Sequence, residues 1–384
     1  MFKALSQAFY SELVSIKNSY YKLLLITLLP LMSFALIIAI FYSGVVRDMP
    51  IAVVDNDKSK LSSQLLFNVD SSPTIKISHN SNSLKEAMDL VKRGEVYGVV
   101  IIPLSFSKDT LLHKQPQVTA MLNTQYILIG KILTSALSSA LMYSAAEVDY
   151  VQTLATLEIP EESINAVTPI GMQVTPFFNT YQNYFLFLVS ALLPAIWQIF
   201  IVIATLVAVG SMFKAKSEQL FFKDKYIATR LIGMILPYTF FFMLLGILYL
   251  FYIYGSLGWA FEGSWAVMIF AMFLTTVAYQ GIALLFFVTG FDYARSLSLG
   301  AVYTAPAFAF LGVTFPVYNM NAFALFWKSM LPISHLVQVQ ISQANYGADI
   351  FLEVDKLLSI FSFWIVFILV FIAFRMKLGK GVQR

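Results

Sequence analysis

The chain has 384 residues, of which 59% are hydrophobic and 12% charged, and its mean hydropathy is +0.75. A water-soluble domain carries roughly 25% charged residues, so this composition excludes a soluble globular protein. The net charge of +4 does not indicate nucleic-acid binding, because the basic residues lie at the ends of apolar runs rather than on one face. Lipid must therefore be part of the solvent around this chain.

Six apolar segments are long enough to cross a membrane. A hydrocarbon core of about 30 Å requires about 20 apolar residues in a helix. The predicted spans are Leu23–Gly44, Tyr184–Phe213, Leu231–Tyr254, Trp265–Gly290, Leu297–Phe315 and Leu358–Phe374. The sequence thus predicts an α-helical polytopic membrane protein, with residues 182–384 forming a transmembrane domain of five spans after the first one at 23–44.

The distribution of basic residues predicts the orientation. One set of helix ends carries 13 Lys and Arg residues, whereas the opposite ends, apart from the long first loop, carry only Lys328 and Lys356. Because positive residues stay in the cytoplasm, both termini are predicted to be cytoplasmic. Residues 45–181 are then extracytoplasmic, which predicts a multi-pass protein of the bacterial inner membrane.

Residues 45–181 have the composition of a soluble domain, since they hold 23 of the 46 charged residues. Their patterns alternate between strand and helix, which predicts an α/β domain between the first and second spans. The predicted elements are a strand at Ile51–Asp55, a helix from Ser59, a strand at Thr74–Ser78, a helix opened by the capping box Ser83–Glu86, strands at Val96–Pro103 and Gln117–Leu122, and a long helix at 126–157.

Asp55 and Asp57 flank Asn56 directly after the first of these strands. Two acids in this spacing are compatible with a cation site, and also with a turn whose acids cap the next helix. The glycine and distal glutamate of an EF-hand are missing. We therefore favour the turn, and no metal ligands are predicted elsewhere.

Residues 316–341 are apolar but are interrupted by Pro316, Lys328, Pro332 and His335. A proline inside a helix removes a backbone hydrogen bond and clashes with the preceding turn. We therefore predict a re-entrant pair of short helices at the outer face rather than a seventh span.

Several function classes are disfavoured by what the predicted spans lack. They contain no Asp, Glu, Lys, Arg or His, whereas ion-coupled transporters use ionisable groups inside the membrane. The segment Gly130–Ile132 lacks the upstream glycine and the Ser/Thr of a phosphate-binding loop, and no catalytic constellation is evident. If the chain moves a solute uphill, the energy must enter from a partner.

The loop at 213–230 is a candidate for docking that partner. Its charged residues surround Leu220, Phe221 and Phe222, a composition that suits a short amphipathic helix pressed into a groove. A solvated loop obeying the positive-inside rule explains the same residues, and the sequence leaves both interpretations open.

Several short motifs, in order and spacing, resemble the ABC-2 type exporter permeases of the multidrug-like branch. The motifs are Pro50–Ser59, Gly94–Gly98 followed by Ile101–Pro103 and Phe106–Ser107, Glu218–Leu220 followed by Gly233 and Pro237–Tyr238, and Phe310–Gly312 followed by Phe315–Pro316, Met330–Pro332 and His335. The resemblance covers nearly the whole chain. It also implies that residues 1–22 form a cytoplasmic amphipathic helix before the first span.

The resemblance implies a permease that binds no cofactor itself and works with ABC ATPase subunits, which bind ATP and magnesium. The residues expected to couple to the ATPase are Glu12, Lys214, Lys216, Glu218, Gln219 and Leu220. A second permease copy or a paralogue completes the complex, and some relatives add a periplasmic adaptor and an outer-membrane channel. The arginine-rich stretch that often precedes the loop glutamate is reduced here to Lys214–Lys216.

These observations predict a permease subunit of an ABC exporter for an amphipathic, apolar or lipid-like substrate, and not an enzyme. The residues predicted to form the pathway or the face between two copies are Ala191, Gln198, Thr304, Gly312, Phe315 and Pro316. Packing within one copy explains the small and polar residues among them equally well. A membrane-anchored receptor or adaptor is the alternative. Such a protein needs only one anchor helix, so it does not explain six predicted spans. An ion-coupled transporter is a further alternative, disfavoured by the uncharged spans.

Overall fold

The computed structural model describes residues 1–112, 114–157, 178–179, 183–215 and 226–381. Contacts divide the chain into two units. Val45–Thr175 forms one unit, called here the α/β unit, and Met1–Gly44 with Pro176–Arg384 forms the other, called the helical unit.

The α/β unit is built on a four-stranded sheet. Its elements are β1 Met49–Asp55, α3 Lys60–Asp70, β2 Ile75–Asn80, α4 Leu84–Lys92, β3 Gly98–Ile102, α5 Phe106–Leu111, β4 Thr119–Leu122 and α6 Ile127–Leu157, numbered after two helices of the other unit. The strand order is β2-β1-β3-β4. β1 runs parallel to β2 and to β3, with Val54 opposite Ile101, whereas β4 is antiparallel to β3. The predicted strands and helices of this segment are thereby confirmed.

Helices cover both faces of this sheet. Ala87 and Leu90 of α4 pack on Ala52 and Val99 on one face. On the other face Leu65 of α3 packs with Ile102 and Phe106. Burial on both faces explains why β1 is a continuous apolar run rather than an alternating one.

The helical unit contains α1 Phe2–Asn18 and α2 Tyr20–Phe41 before the α/β unit in sequence. After it come α7, which is a π-helical turn at Phe185–Val189 followed by Ser190–Ala215, α8 Ile227–Leu250 with a π-helical turn at Phe251–Ser256, α9 Trp265–Gly290, α10 Tyr293–Thr304, α11 Ala307–Phe310, α12 Ala322–Ser329, α13 Pro332–Tyr346, α14 Ile350–Ser362 and α15 Ile365–Gly381. Its core lies between α7, α8 and α9, where the buried Trp197 donates a hydrogen bond at 2.9 Å to the carbonyl oxygen of Phe242.

Six helices in the described part of the chain are long and apolar enough to cross a membrane. They are Tyr20–Phe41, Leu128–Val151, Phe185–Lys214, Ile227–Ser256, Trp265–Gly290 and Ile350–Phe374. Five of them match predicted spans. The predicted fifth span, Leu297–Phe315, was wrong as a continuous helix, because α10 ends at Thr304, Pro306 follows, and α11 ends at Phe310.

The sixth candidate, within α6, is part of the α/β unit. Asn68 of α3 donates hydrogen bonds to Ser144 and Glu147 of α6, and Leu141 packs beside Leu65. This helix therefore has a polar and an apolar attachment to the sheet domain, although its length and composition also suit a membrane.

The predicted pair of helices after Pro316 is confirmed. α12 ends at Ser329, and α13 begins at Pro332, which occupies the first turn where its missing N–H costs nothing. α13 is longer than predicted, since it continues past Ile341 to Tyr346.

Gly233 allows α1 to lie close against α8. A Cβ atom at this position would stand 2.5 Å from the carbonyl oxygen of Leu5 and 3.1 Å from Cβ of Ala8. The first of these is a backbone atom, so the helix as a whole would have to move.

We expect Gly233→Ala to lower the free energy of unfolding by about 1–3 kcal/mol, the usual cost of overpacking. The matched control is Gly290→Ala, where the nearest atom to a new Cβ would be 3.5 Å away, an ordinary contact. Thermal unfolding of the detergent-purified chains measures both. Equal stability of the two variants would contradict the close packing of α1 on α8.

Candidate functional site

The junction between α1 and α8 is formed by one stripe of the N-terminal helix. The buried residues of α1 are Ala4, Ala8, Glu12 and Ile16, spaced four apart. Residues four apart lie on one helical face, so a glutamate occupies a position where the pattern would place an apolar side chain.

Glu12 is held there by a buried ion pair. Its carboxylate lies 2.6 Å from Nζ of Lys22, and the two side chains are 9% and 5% exposed. The hydroxyl of Tyr238 donates a hydrogen bond at 2.7 Å to the same carboxylate, and Nζ of Lys22 donates at 2.9 Å to Ser15. Ions leave water at a cost of several kcal/mol each unless they are paired and hydrogen-bonded. The network therefore joins α1, the start of α2 and α8, and breaking any of its contacts would leave a buried charged or polar group without a partner.

The same helix α8 starts where the predicted coupling loop ends. Ile227 is its first residue, and Tyr238 lies three turns further along. A displacement of this end of α8 would be passed to α1 through Tyr238 and through the close contact at Gly233.

The other end of the loop is anchored on α9 and α10. Phe213 packs edge-on against Phe287 with ring centroids 5.5 Å apart, and Nζ of Lys214 lies 5.6 Å from the ring centroid of Tyr293. The remaining predicted coupling residues, Lys216, Glu218, Gln219 and Leu220, lie outside the described residues. Both flanks of the loop are thus fixed to the helical unit by specific side chains.

The structure places Glu12 differently from Lys214. Lys214 is exposed, as a docking residue must be, whereas Glu12 is turned inward and engaged by Lys22 and Tyr238. A direct contact of Glu12 with a partner would need this ion pair to open. Its position instead suits a residue that fixes α1 on α8.

The residues predicted for the pathway or the face between two copies do not lie together at the surface. Ala191, Gln198 and Thr304 are buried inside this chain, and Gln198 donates to the carbonyl oxygen of Thr304 at 3.4 Å. Phe315 and Pro316 are exposed. Gly312, with φ of +81°, forms the bend between α11 and the 3-10 turn that follows. Of these six predicted residues, only Phe315 and Pro316 are exposed and could contact a second copy. Their role in such an interface stays a prediction.

Buried glutamines connect the helices of this unit. Gln280 accepts a hydrogen bond from Thr239 at 2.9 Å, which joins α9 to α8. Gln340 donates at 3.0 Å to the carbonyl oxygen of Ser190 and at 3.1 Å to the hydroxyl of Tyr254. α13 is thereby joined to α7 and α8.

The sequence interpretation missed Gln280 and Gln340, although a signal was present. An amide inside an apolar run cannot face lipid without losing its hydrogen bonds, so it indicates a helix contact. Among the described residues, Oε1 of Gln198 and Oε1 of Gln340 are buried without a hydrogen-bond partner. Gln198 and Gln340 therefore each keep one acceptor that no described residue uses.

In the α/β unit the acidic pair after β1 forms the predicted turn. Asp55 accepts hydrogen bonds from the backbone N–H groups of Asp57 and Lys58, both at 3.0 Å, and from the Ser62 hydroxyl at 2.8 Å. A hydrogen bond from the Ser59 side chain, supported by the backbone N–H of Ser107, holds the pKa of Asp57 below its usual range. Both carboxylates are thus used to fix the start of α3 and α5.

Comparison with protein families identifies this arrangement of apolar helices. The family described as "ABC-2 family transporter protein" matches residues 21–375. The chain belongs to the ABC-2 transporter family. A comparison with curated proteins gives no match, and neither does a comparison with solved structures.

ABC-2 permeases are generally the non-catalytic membrane subunits of transporters, and membership implies an ABC ATPase partner. The chain is therefore a membrane protein with a transporter permease role. The α1–α8 junction and the flanks of the loop at 213–230 are places in this permease where specific side chains hold neighbouring helices together.

We expect Glu12→Gln to lower the free energy of unfolding by about 3 kcal/mol, because it leaves Lys22 buried without its counter-charge. The control is Asp89→Asn, which breaks the exposed pair between Asp89 and Lys92 and should change stability by about 0.5 kcal/mol or less. Thermal unfolding of the purified chains measures the difference. The single variants Glu12→Lys and Lys22→Glu each place two like charges together and should be less stable than the double variant, which restores an ion pair with its charges exchanged. A double variant less stable than both single variants would contradict the pairing.

Proposed function

We propose that this chain is the permease subunit of an ABC exporter that moves an amphipathic, apolar or lipid-like molecule out of the cytoplasm or the inner leaflet. The observation that carries the proposal is the family match over residues 21–375. Its support comes from the mainly apolar candidate spans, whose charged residues lie near their ends, so that their middle parts offer an uncharged environment to such a substrate.

ATP hydrolysis belongs, in this proposal, to a separate ABC ATPase that binds ATP and magnesium. The loop at 213–230 is its docking element, with Lys214 at one flank and α8 at the other. Support comes from the anchoring of both flanks and from the ion pair that makes α1 follow α8. A push on the loop would move α8 and α1 as one element.

The substrate pathway, in this proposal, lies between two permease copies, either identical or paralogous. Phe315 and Pro316 are exposed beside the bend at Gly312. Exposed apolar residues at a bent backbone segment supply a surface that a second copy can cover. A periplasmic adaptor and an outer-membrane channel are further partners of such a complex.

The first test uses the chain purified alone and together with its ABC ATPase. The chain alone should hydrolyse no ATP, and the complex in vesicles should transport apolar dyes only with ATP. The complex should contain two permease copies by mass. ATP hydrolysis by the isolated chain, or full transport by a complex with one six-span permease copy, would contradict the proposal.

Within this test Glu218→Lys should leave assembly intact and abolish transport, because it reverses one of two acids in a mainly basic loop. The control is Glu95→Lys, which disturbs an exposed pair with Arg93 in the α/β unit. Normal transport by the assembled Glu218→Lys complex would remove the docking role from this residue.

The second test addresses orientation, which the proposal sets with both termini in the cytoplasm of a bacterial inner membrane. The chain has no cysteine, so single cysteines can be labelled without background. Impermeant maleimide on intact cells should label cysteines at Ser63, Ser256 and Ser329, and should label those at Gln7 and Ala294 only after permeabilisation. Labelling at Ala294 from outside would instead favour α6 as a span, because an additional crossing before α7 inverts every later loop.

A further inference from the structure

The α/β unit contains a cavity that the permease role does not require. It has a volume of about 690 Å³ and lies between α3, α5, α6 and the segment that leads into β4. Pockets for small molecules are usually about 300–1,000 Å³ and mainly apolar. The apolar part of this lining includes Leu61, Leu65, Phe106, Val118, Leu141 and Val148.

The sheet supplies a rigid base for this cavity. Leu65 and Phe106 belong to the buried cluster that covers Ile102 of β3, and Leu141 packs against the same cluster. Their other sides line the cavity. Because these side chains are fixed by the sheet, the apolar walls exist before any ligand arrives, which lowers the ordering cost of binding.

The charge around the cavity has one sign. Glu147 and Asp149 line it, and the described lining residues include neither Lys nor Arg. Glu147 is held in place, since its Oε2 accepts a hydrogen bond at 2.9 Å from Nδ2 of Asn68. Asn68 also donates at 3.0 Å to the buried Ser144. A concave surface with low-dielectric walls and only negative charge attracts cations.

We propose that this cavity binds an amphipathic organic cation, with its apolar body among Leu65, Phe106 and Leu141 and its charge beside Glu147. The volume selects a small molecule, the walls select an apolar body, and the carboxylate selects the positive charge. An inorganic cation would leave the apolar walls uncovered, and an anion would meet Glu147. The site goes beyond the proposed transport function, because a permease pathway does not need the α/β unit to bind a ligand.

The test is protection of a cysteine inside the cavity, measured on the full chain in nanodiscs without the ATPase. Leu141→Cys places a thiol in the lining, and Met142→Cys places one on the exposed side of the same helix, where the side chain is 63% exposed. The probes are tetraphenylphosphonium and tetraphenylborate, which have nearly the same shape and opposite charges. Tetraphenylphosphonium should slow alkylation at position 141 severalfold and leave position 142 unchanged, and tetraphenylborate should protect neither.

Two further variants, each made in the Leu141→Cys chain, test the roles of charge and space. Glu147→Gln keeps an oxygen for Asn68 and should raise the tetraphenylphosphonium concentration needed for protection about fivefold, the effect of one partly exposed charge pair. Ala145→Trp fills the cavity from a lining position and should abolish protection. The same two changes made in the Met142→Cys chain should leave its alkylation rate unchanged, which shows that they act inside the cavity and not on the reagent. Without a probe, alkylation that stays slower at position 141 than at position 142 shows that the unit is folded.

Equal protection by both probes would overturn the cation preference, and protection by neither would overturn the site. Selective protection that survives Glu147→Gln unchanged would overturn the role of this carboxylate. Because no ATPase is present, failure here leaves the permease proposal standing, and a chain that fails in transport is still tested for binding.

Discussion

Polar groups that leave water must find their partners within the chain, and this constraint organises the helical unit. Glu12 and Lys22 are nearly inaccessible and lie 2.6 Å apart. Each would be costly to bury alone, so the pair exists only if α1 and the start of α2 hold their mutual position. Gln280 and Gln340 obey the same rule with neutral groups, since each amide hydrogen-bonds to a neighbouring helix. Apolar packing makes these helices stable in lipid, whereas the polar pairs determine which helix faces which.

Helix α8 takes part in several of these polar and close contacts. Tyr238 contacts Glu12, Thr239 contacts Gln280, and Gly233 lets the backbone of α1 approach. α8 therefore moves only together with α1 and α9, or it breaks hydrogen bonds that have no replacement in lipid. A partner acting on the loop before α8 would act on three helices at once.

The α/β unit satisfies its polar groups mainly through contacts that are local in sequence. Its sheet is covered on both faces, and its acidic turn residues are satisfied by backbone N–H groups and serine hydroxyls. Its cavity keeps apolar walls beside carboxylates.

The sequence by itself determined the elements whose signal is local. Apolar length predicted five of the six candidate spans, short apolar or alternating runs predicted the four strands, and Pro316 with Pro332 predicted the two helices α12 and α13. The acids after β1 were also read correctly as a turn, because Asp55 bonds to residues two, three and seven positions away. Of the candidate coupling surface, Lys214 is described and exposed, whereas Lys216 to Leu220 lie outside the described residues, so the docking role of the loop stays a prediction.

Only the tertiary structure decided what depends on distant residues. Tyr238 reaches Glu12 across 226 positions, and Gln340 reaches Ser190 across 150, so no local pattern contains either contact. The same holds for Asn68 and Glu147, which join α6 to the sheet domain although its hydropathy also suits a span. Residue type alone left Ala191, Gln198 and Thr304 open between a face joining two copies and packing within one copy, and the structure buries all three inside this chain. The length of an apolar run depends only on consecutive residues, whereas the partner of a buried polar group is determined only when the helices pack together.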